Sequence, residues 1–88
     1  MKVVAVNQDS HGFIGLAKDY KSALDFLINT HWLEDNTEVW DERINDWVKL
    51  KDAQGEDWFD DMCRWSINEF NEYWDGSFYL EEVEVFGT

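Results

Sequence analysis

The spacing of apolar positions in the first third of the chain changes once, from two short runs to a helical repeat. The runs at residues 2–7 and 13–17 flank "QDSHG", where Gly12 permits a positive φ, so this segment predicts a β-hairpin. From Asp19, a suitable N-cap, apolar residues recur at three- and four-residue intervals and predict a helix over 19–33. The apolar face of this helix comprises Tyr20, Ala23, Leu24, Leu27, Ile28 and His31.

The middle of the chain, residues 34–55, has no single periodicity. Its "TEVWDERINDWVKL" segment fits two short strands around "ERIND", and it also fits a helix with apolar residues over half its circumference. We favour the strands. The following "KDAQG" is then predicted to be a loop that ends at Gly55.

A second, strongly acidic helix is predicted over residues 57–75. Asp57 is a suitable N-cap with Asp60 three positions later, and Gly76 stands where a left-handed C-terminal cap is expected. At about 100° per residue, one arc of this helix is predicted to face the core. That arc comprises Phe59, Met62, Cys63, Ser66, Ile67, Phe70, Tyr73 and Trp74.

A last strand over residues 77–86 completes the predicted fold. Phe78 and Leu80 have one parity and Val83 and Val85 have the other, so a bulge near Glu81 and Glu82 is expected. The element order is ββα(ββ)αβ. It predicts an α+β two-layer sandwich, with two helices on one face of an antiparallel sheet of three to five strands and the first strand in the centre. The 88 residues predict a single domain, 1–88.

Composition indicates a folded protein of the cytoplasm. The chain is 44% hydrophobic with six Trp, six Phe and three Tyr, which supplies a core that disordered chains lack. A lone Cys63 cannot form an intramolecular disulfide, so a reducing compartment is expected. The apolar run at the N-terminus is far shorter than the roughly 20 residues of a membrane span, so we expect no membrane partner.

The net charge of −13 is concentrated in one part of the chain. Residues 1–33 carry three Lys and three Asp, so the whole excess lies in residues 34–88. Such a surface repels nucleic acid and favours basic partners, and direct nucleic-acid binding is therefore not expected. The simplest alternative is that the charge keeps a Trp-rich protein monomeric and soluble.

No motif indicates catalysis, a cofactor or a metal site. Around Asp9 and Gly12 the sequence partly matches a calcium loop, but Lys18 replaces the required Glu at its last position. His11 and His31 are the available bases for Cys63, and Cys63 is predicted to lie in the core, where a thiol is inert. We therefore expect no catalytic residues, no cofactor and no metal ligands.

The predicted partner-binding surface lies at the edge of the acidic helix. Trp58 and Trp65 are seven residues apart and are expected to form a Trp shoulder at the border of the core face. Two such rings could instead widen the core contact. The acids predicted around the shoulder are Asp61, Glu69 and Glu72.

The leading hypothesis is a non-enzymatic interaction module that binds a basic site on a partner protein. In size and acidity the chain is similar to small inhibitors carried by phages and mobile elements, including proteins that block nucleic-acid enzymes. The most specific form of this hypothesis is a mimic of nucleic acid that inhibits a nucleic-acid-binding protein. However, the stretch 56–76, with seven acids less Arg64 over about 30 Å of helix, has about one net charge per 5 Å of axis, compared with one per ~1.7 Å for DNA. The alternative is an assembly protein, a monomer or weak homodimer that docks through the Trp shoulder while the acids provide solubility.

Overall fold

The computed structural model describes residues 1–85 and has mixed α+β architecture, as the sequence predicts. Within this range it contains a three-stranded antiparallel sheet, a separate two-stranded hairpin and four helices, instead of one sheet and two helices. In chain order the elements are β1 (Lys2–Gln8), β2 (Gly12–Ala17), α1 (Tyr20–Asn29), β3 (Glu38–Asp41), β4 (Asp46–Lys49), α2 (Leu50–Gln54), α3 (Trp58–Cys63), α4 (Ile67–Trp74) and β5 (Phe78–Glu84).

The main sheet has the order β2-β1-β5, which confirms the predicted central position of the first strand. Val4 and Val6 of β1 share a face with Leu80 of β5, and all three are buried against the helices. The opposite face is open. Its exposed apolar residues, named here the outer sheet face, are Phe13, Leu16, Tyr79 and Val83.

The bulge predicted near Glu81 and Glu82 is wrong, because β5 pairs with β1 in continuous register. Val83 has the other parity because it belongs to the outer sheet face, which no helix covers, so no bulge is needed. The irregularity lies instead in the pairing of β1 with β2. There the register shifts between Val6 and Asn7, which leaves Ile14 of β2 as the extra residue.

Helix α1 begins as predicted but ends early. Asp19 is the N-cap, and its carboxylate accepts a hydrogen bond of 2.8 Å from the backbone N–H of Ser22, which holds the pKa of Asp19 below its usual value. The helix ends at Asn29 instead of residue 33. The predicted place of His31 on the apolar face is therefore wrong: this residue has φ 62°, is exposed, and contacts Glu34 at 3.0 Å.

The strand interpretation of the middle segment is confirmed, since β3 and β4 form an antiparallel hairpin. They make a sheet of their own instead of extending the main one. The predicted "KDAQG" loop is wrong, because residues 50–54 form α2 and only Gly55, with φ 92°, ends it. Burial of Leu50 anchors this short helix to the core, a tertiary effect that the loop-like composition does not reveal.

The single helix predicted over 57–75 is also wrong, because the chain contains two helices there, α3 and α4. Ser66 has extended backbone and accepts a hydrogen bond from the backbone N–H of Glu69, while the Glu69 side chain accepts one from the backbone N–H of Ser66. This capping box starts a new helix. Asp57 does occupy the N-cap position of α3, without a side-chain capping bond, and the left-handed end of α4 is at Asp75, followed by Gly76 with φ 89°.

The core joins the buried sheet face to all four helices. Phe70 of α4 is fully buried, with its ring centroid 6.1 Å from that of Tyr20 and 6.0 Å from that of Trp74. Asn71 ties α4 to the edge of the sheet, because its amide accepts from the N–H of Leu80 at 2.8 Å and donates to the Leu80 carbonyl at 2.9 Å. The side chain thus satisfies backbone groups that an edge strand would leave unpaired.

Replacement of Gly15 by Ala tests how tightly β2 packs on α1. A Cβ atom at this position would lie 2.6 Å from Cζ of Phe26, so the ring must move. We expect a loss of about 1–3 kcal/mol in the free energy of unfolding, measured by urea denaturation. In a Phe26→Leu background the same replacement should cost clearly less; an equal cost in both backgrounds would show that the ring is not the obstacle.

Candidate functional site

The Trp shoulder, which was expected at the centre of the five predicted partner-binding residues, is not present in the structure. The helical spacing that placed Trp58 beside Trp65 is lost, because the chain breaks between α3 and α4. Trp58 is only 5% exposed, and its indole Nε1 donates a hydrogen bond of 2.7 Å to Oδ1 of Asp35. Its ring therefore belongs to the core, which agrees with the alternative that the Trp rings widen the core contact. The expected exposed Trp shoulder is absent.

The other four predicted residues have separate environments. Trp65 is half-buried, with its ring centroid 5.1 Å from that of Tyr73. Asp61 faces Arg64 at 3.4 Å, and Glu69 is engaged in the capping box of α4. Glu72 is exposed and lines a cleft that the sequence interpretation did not anticipate.

This cleft, named here the acidic aromatic cleft, lies where the β3–β4 hairpin faces the C-terminal end of α4. Its volume is about 570 Å³, within the range of ~300–1,000 Å³ that is usual for binding pockets. The lining residues are Glu38, Val39, Trp40, Glu42, Trp47, Glu72, Tyr73, Trp74, Asp75 and Ser77.

The hairpin register explains how two Trp rings come to line the cleft. In β3 the alternation of the strand places Glu38 and Trp40 on one face, and Trp40 pairs directly with Trp47 of β4. The two rings meet edge to face with centroids 5.5 Å apart. They are nevertheless 47% and 56% exposed, so a large aromatic area remains free for contact.

The cleft is strongly anionic. Four of its lining residues are Asp or Glu, and none of the described residues that line it is Lys, Arg or His. Two cations lie nearby on the hairpin but outside this lining. Arg43 binds the Asp41 carboxylate in a fork at 2.9 and 3.1 Å, which lowers the pKa of Asp41, and Lys49 pairs with Glu38 in the ladder.

Trp74 brings a buried, unpaired hydrogen-bond donor into the core. This side chain is 5% exposed and packs against Phe78 with ring centroids 5.3 Å apart. Its Nε1 is buried and has no hydrogen-bond partner among residues 1–85. An unpaired buried donor is uncommon in folded proteins, and this one is enclosed by the chain, so a ligand in the cleft does not reach it unless the ring moves.

In the described structure, the Cys63 thiol and the two histidines have separate contacts. Burial raises the pKa of the Cys63 thiol, which disfavours the nucleophilic thiolate. His11 is exposed and contacts Gln8 at 2.9 Å, while His31 contacts Glu34. Within residues 1–85, no three His, Cys, Asp or Glu side chains are arranged to hold a metal ion, and no helix is long and apolar enough to cross a membrane.

The sequence contains a signal for the cleft that the helix-centred interpretation missed. Once "TEVWDERINDWVKL" is taken as a hairpin, strand alternation puts Glu38 and Trp40 on one side, and Glu42 follows in the turn. No local pattern shows that the C-terminal end of α4 lies opposite the β3–β4 hairpin. This placement depends on the break between α3 and α4 at Ser66. Comparison with known proteins adds no further guide: the chain shows no significant match to a protein-family model, a curated protein or a solved structure.

Proposed function

We propose that the chain is a non-enzymatic interaction module that binds a basic site on a partner protein through the acidic aromatic cleft. The observation that carries the proposal is the exposed Trp40–Trp47 pair beside four carboxylates in one concave site. Large exposed rings are typical anchors of interfaces, and a negative field accelerates the approach of a basic partner. The single Cys63 favours a reducing cytoplasm as the place of binding.

The most specific form of this proposal is that the chain inhibits a nucleic-acid-binding protein. The structure has a longest dimension of 49 Å, and a net charge of −13 over that length is about one charge per 4 Å. Duplex DNA has one per ~1.7 Å, so the chain carries less than half the charge density of DNA. The cleft partly offsets this low overall charge density, because it brings acids of the hairpin and of α4 to one site.

A pull-down from cell lysate tests this function. Immobilised wild-type chain should retain a basic protein at low salt, release it at moderate salt and lose it to added duplex DNA. Glu38→Gln/Glu42→Gln/Glu72→Gln should retain less of that protein than Asp61→Asn/Glu69→Gln/Glu72→Gln, which removes the same charge mainly outside the cleft. Retention that resists salt, DNA and both variants would contradict an electrostatic binding site.

Assembly remains a second candidate, and the outer sheet face favours it. Its exposed apolar side chains can form a contact, and β1 and β2 belong to the part of the chain without net charge, whereas β5 adds the carboxylate of Glu81 to this face. The face measures about 14 Å by 24 Å at most, for two strands of seven residues and one of six. That area is below the ~800 Å² per partner of a standard interface, so we expect a weak dimer.

Sedimentation velocity of wild type and Phe13→Ala/Leu16→Ala distinguishes assembly from binding through the cleft. A concentration-dependent dimer that is lost in the variant supports assembly.

A further inference from the structure

The acidic aromatic cleft has features that discriminate between basic side chains; this inference rests on the proposed function. Carboxylates of Glu38, Glu42 and Glu72 lie in the same lining as the rings of Trp40 and Trp47. A guanidinium group is planar, stacks on aromatic faces and binds carboxylates through paired hydrogen bonds. An ammonium group is a compact and strongly hydrated charge, so this combination favours Arg over Lys.

The chain's own arginine in this region does not occupy the cleft. Arg43 is held by Asp41 in the turn of the hairpin, through bonds of 2.9 and 3.1 Å, and does not line the cleft. A volume of about 570 Å³ accommodates one long side chain with its adjoining backbone. The charge and the size of the cleft are thus compatible with an arginine supplied by another protein.

We propose that the cleft binds an arginine residue in an exposed segment of the partner protein. The guanidinium stacks on the Trp40–Trp47 pair and bonds to the carboxylates of the lining. The partner is thus recognised by arginine in an accessible strand or loop, in addition to its overall positive charge.

The test is an NMR titration with the peptide Ac-Gly-Gly-Arg-Gly-Gly-NH2 and its lysine and citrulline analogues. Citrulline keeps the shape of arginine without its charge. The arginine peptide should shift the indole N–H signals of Trp40 and Trp47, whose exposed rings line the cleft. Its affinity should exceed that of the lysine peptide about threefold and that of the citrulline peptide at least tenfold. Equal affinity for all three, or shifts outside the cleft, would overturn the inference.

Two matched variants make the result specific to the cleft. Glu38→Gln/Glu42→Gln/Glu72→Gln should lower the affinity for the arginine peptide about tenfold, since it neutralises the lining. The control Glu56→Gln/Glu81→Gln/Glu82→Gln removes the same charge at exposed positions outside the cleft and should change the affinity less than twofold. Equal losses in both would show that only the overall field matters and would reject an arginine site.

Failure of this inference is distinguishable from failure of the proposed function. If the wild-type chain captures a basic partner in a salt-sensitive manner while the arginine peptide leaves the indole signals of Trp40 and Trp47 unmoved, the arginine site is rejected and the interaction function stands. If the peptide binds as expected but no salt-sensitive partner is captured, the site stands and the wider function fails.

Discussion

Replacement of Phe70 by Ala should remove a large part of the stability of this chain. Phe70 is fully buried and contacts the rings of Tyr20 and Trp74, so truncation leaves a cavity where α4 meets α1. Such changes cost about 3–5 kcal/mol, and a domain of this size has a total of roughly 5–10 kcal/mol. Urea denaturation followed by circular dichroism measures the loss in the free energy of unfolding.

The matched control is Phe13→Ala, which removes the same side chain from the outer sheet face. Phe13 is 61% exposed, so its loss should change stability by no more than about 0.5 kcal/mol. Similar losses of stability at the two positions would contradict the account in which α4 and α1 cover one face of the sheet and the other face is open.

Replacement of both Trp40 and Trp47 by Ala should lower the affinity for a basic partner about thirtyfold or more. Exposed Trp residues in concave sites often contribute 2 kcal/mol or more to binding, and a tenfold change in affinity corresponds to about 1.4 kcal/mol. Stability should fall far less than with Phe70→Ala, because the rings are half exposed and mainly contact each other. Titration calorimetry with the purified partner gives the affinity, and the urea midpoint gives the stability.

Phe13→Ala/Tyr79→Ala is the control for this pair, since it removes two exposed rings from the outer sheet face instead of the cleft. It should leave the affinity within about twofold of wild type. The reverse result, with binding lost in this control and kept in the Trp variant, would assign the interaction to the outer sheet face and support assembly as the function.

The class of fold was predictable because its signals are local. Strand-forming runs on both sides of Gly12, the Asp19 cap and the alternation around "ERIND" each act within a few residues, and the predicted strands and the start of α1 are present. The break between α3 and α4 was missed because Ser66 was assigned to the apolar face. Its capping box with Glu69 has a signature in the sequence and outweighs the continuous helical periodicity.

The candidate site was less predictable because it joins elements that are distant in the sequence. Glu72 was placed correctly on an exposed surface, but Trp58 was expected at an edge and is buried with Asp35 as its hydrogen-bond partner. Nothing near Trp58 in the sequence indicates that contact, which spans 23 positions. The pairing of Trp40 with Trp47 follows from the hairpin register, whereas their position opposite α4 follows only from tertiary packing.

The most direct test of the acidic aromatic cleft as the binding site compares two variants of equal charge against the purified partner. Affinity is measured as a function of salt concentration for wild type, for Glu38→Gln/Glu42→Gln/Glu72→Gln and for Glu56→Gln/Glu81→Gln/Glu82→Gln. Binding through the cleft predicts about a tenfold loss and a weaker salt dependence for the first variant, and a loss below about threefold for the second. Equal losses in the two variants would contradict the assignment, because only the total charge of the chain would then govern binding.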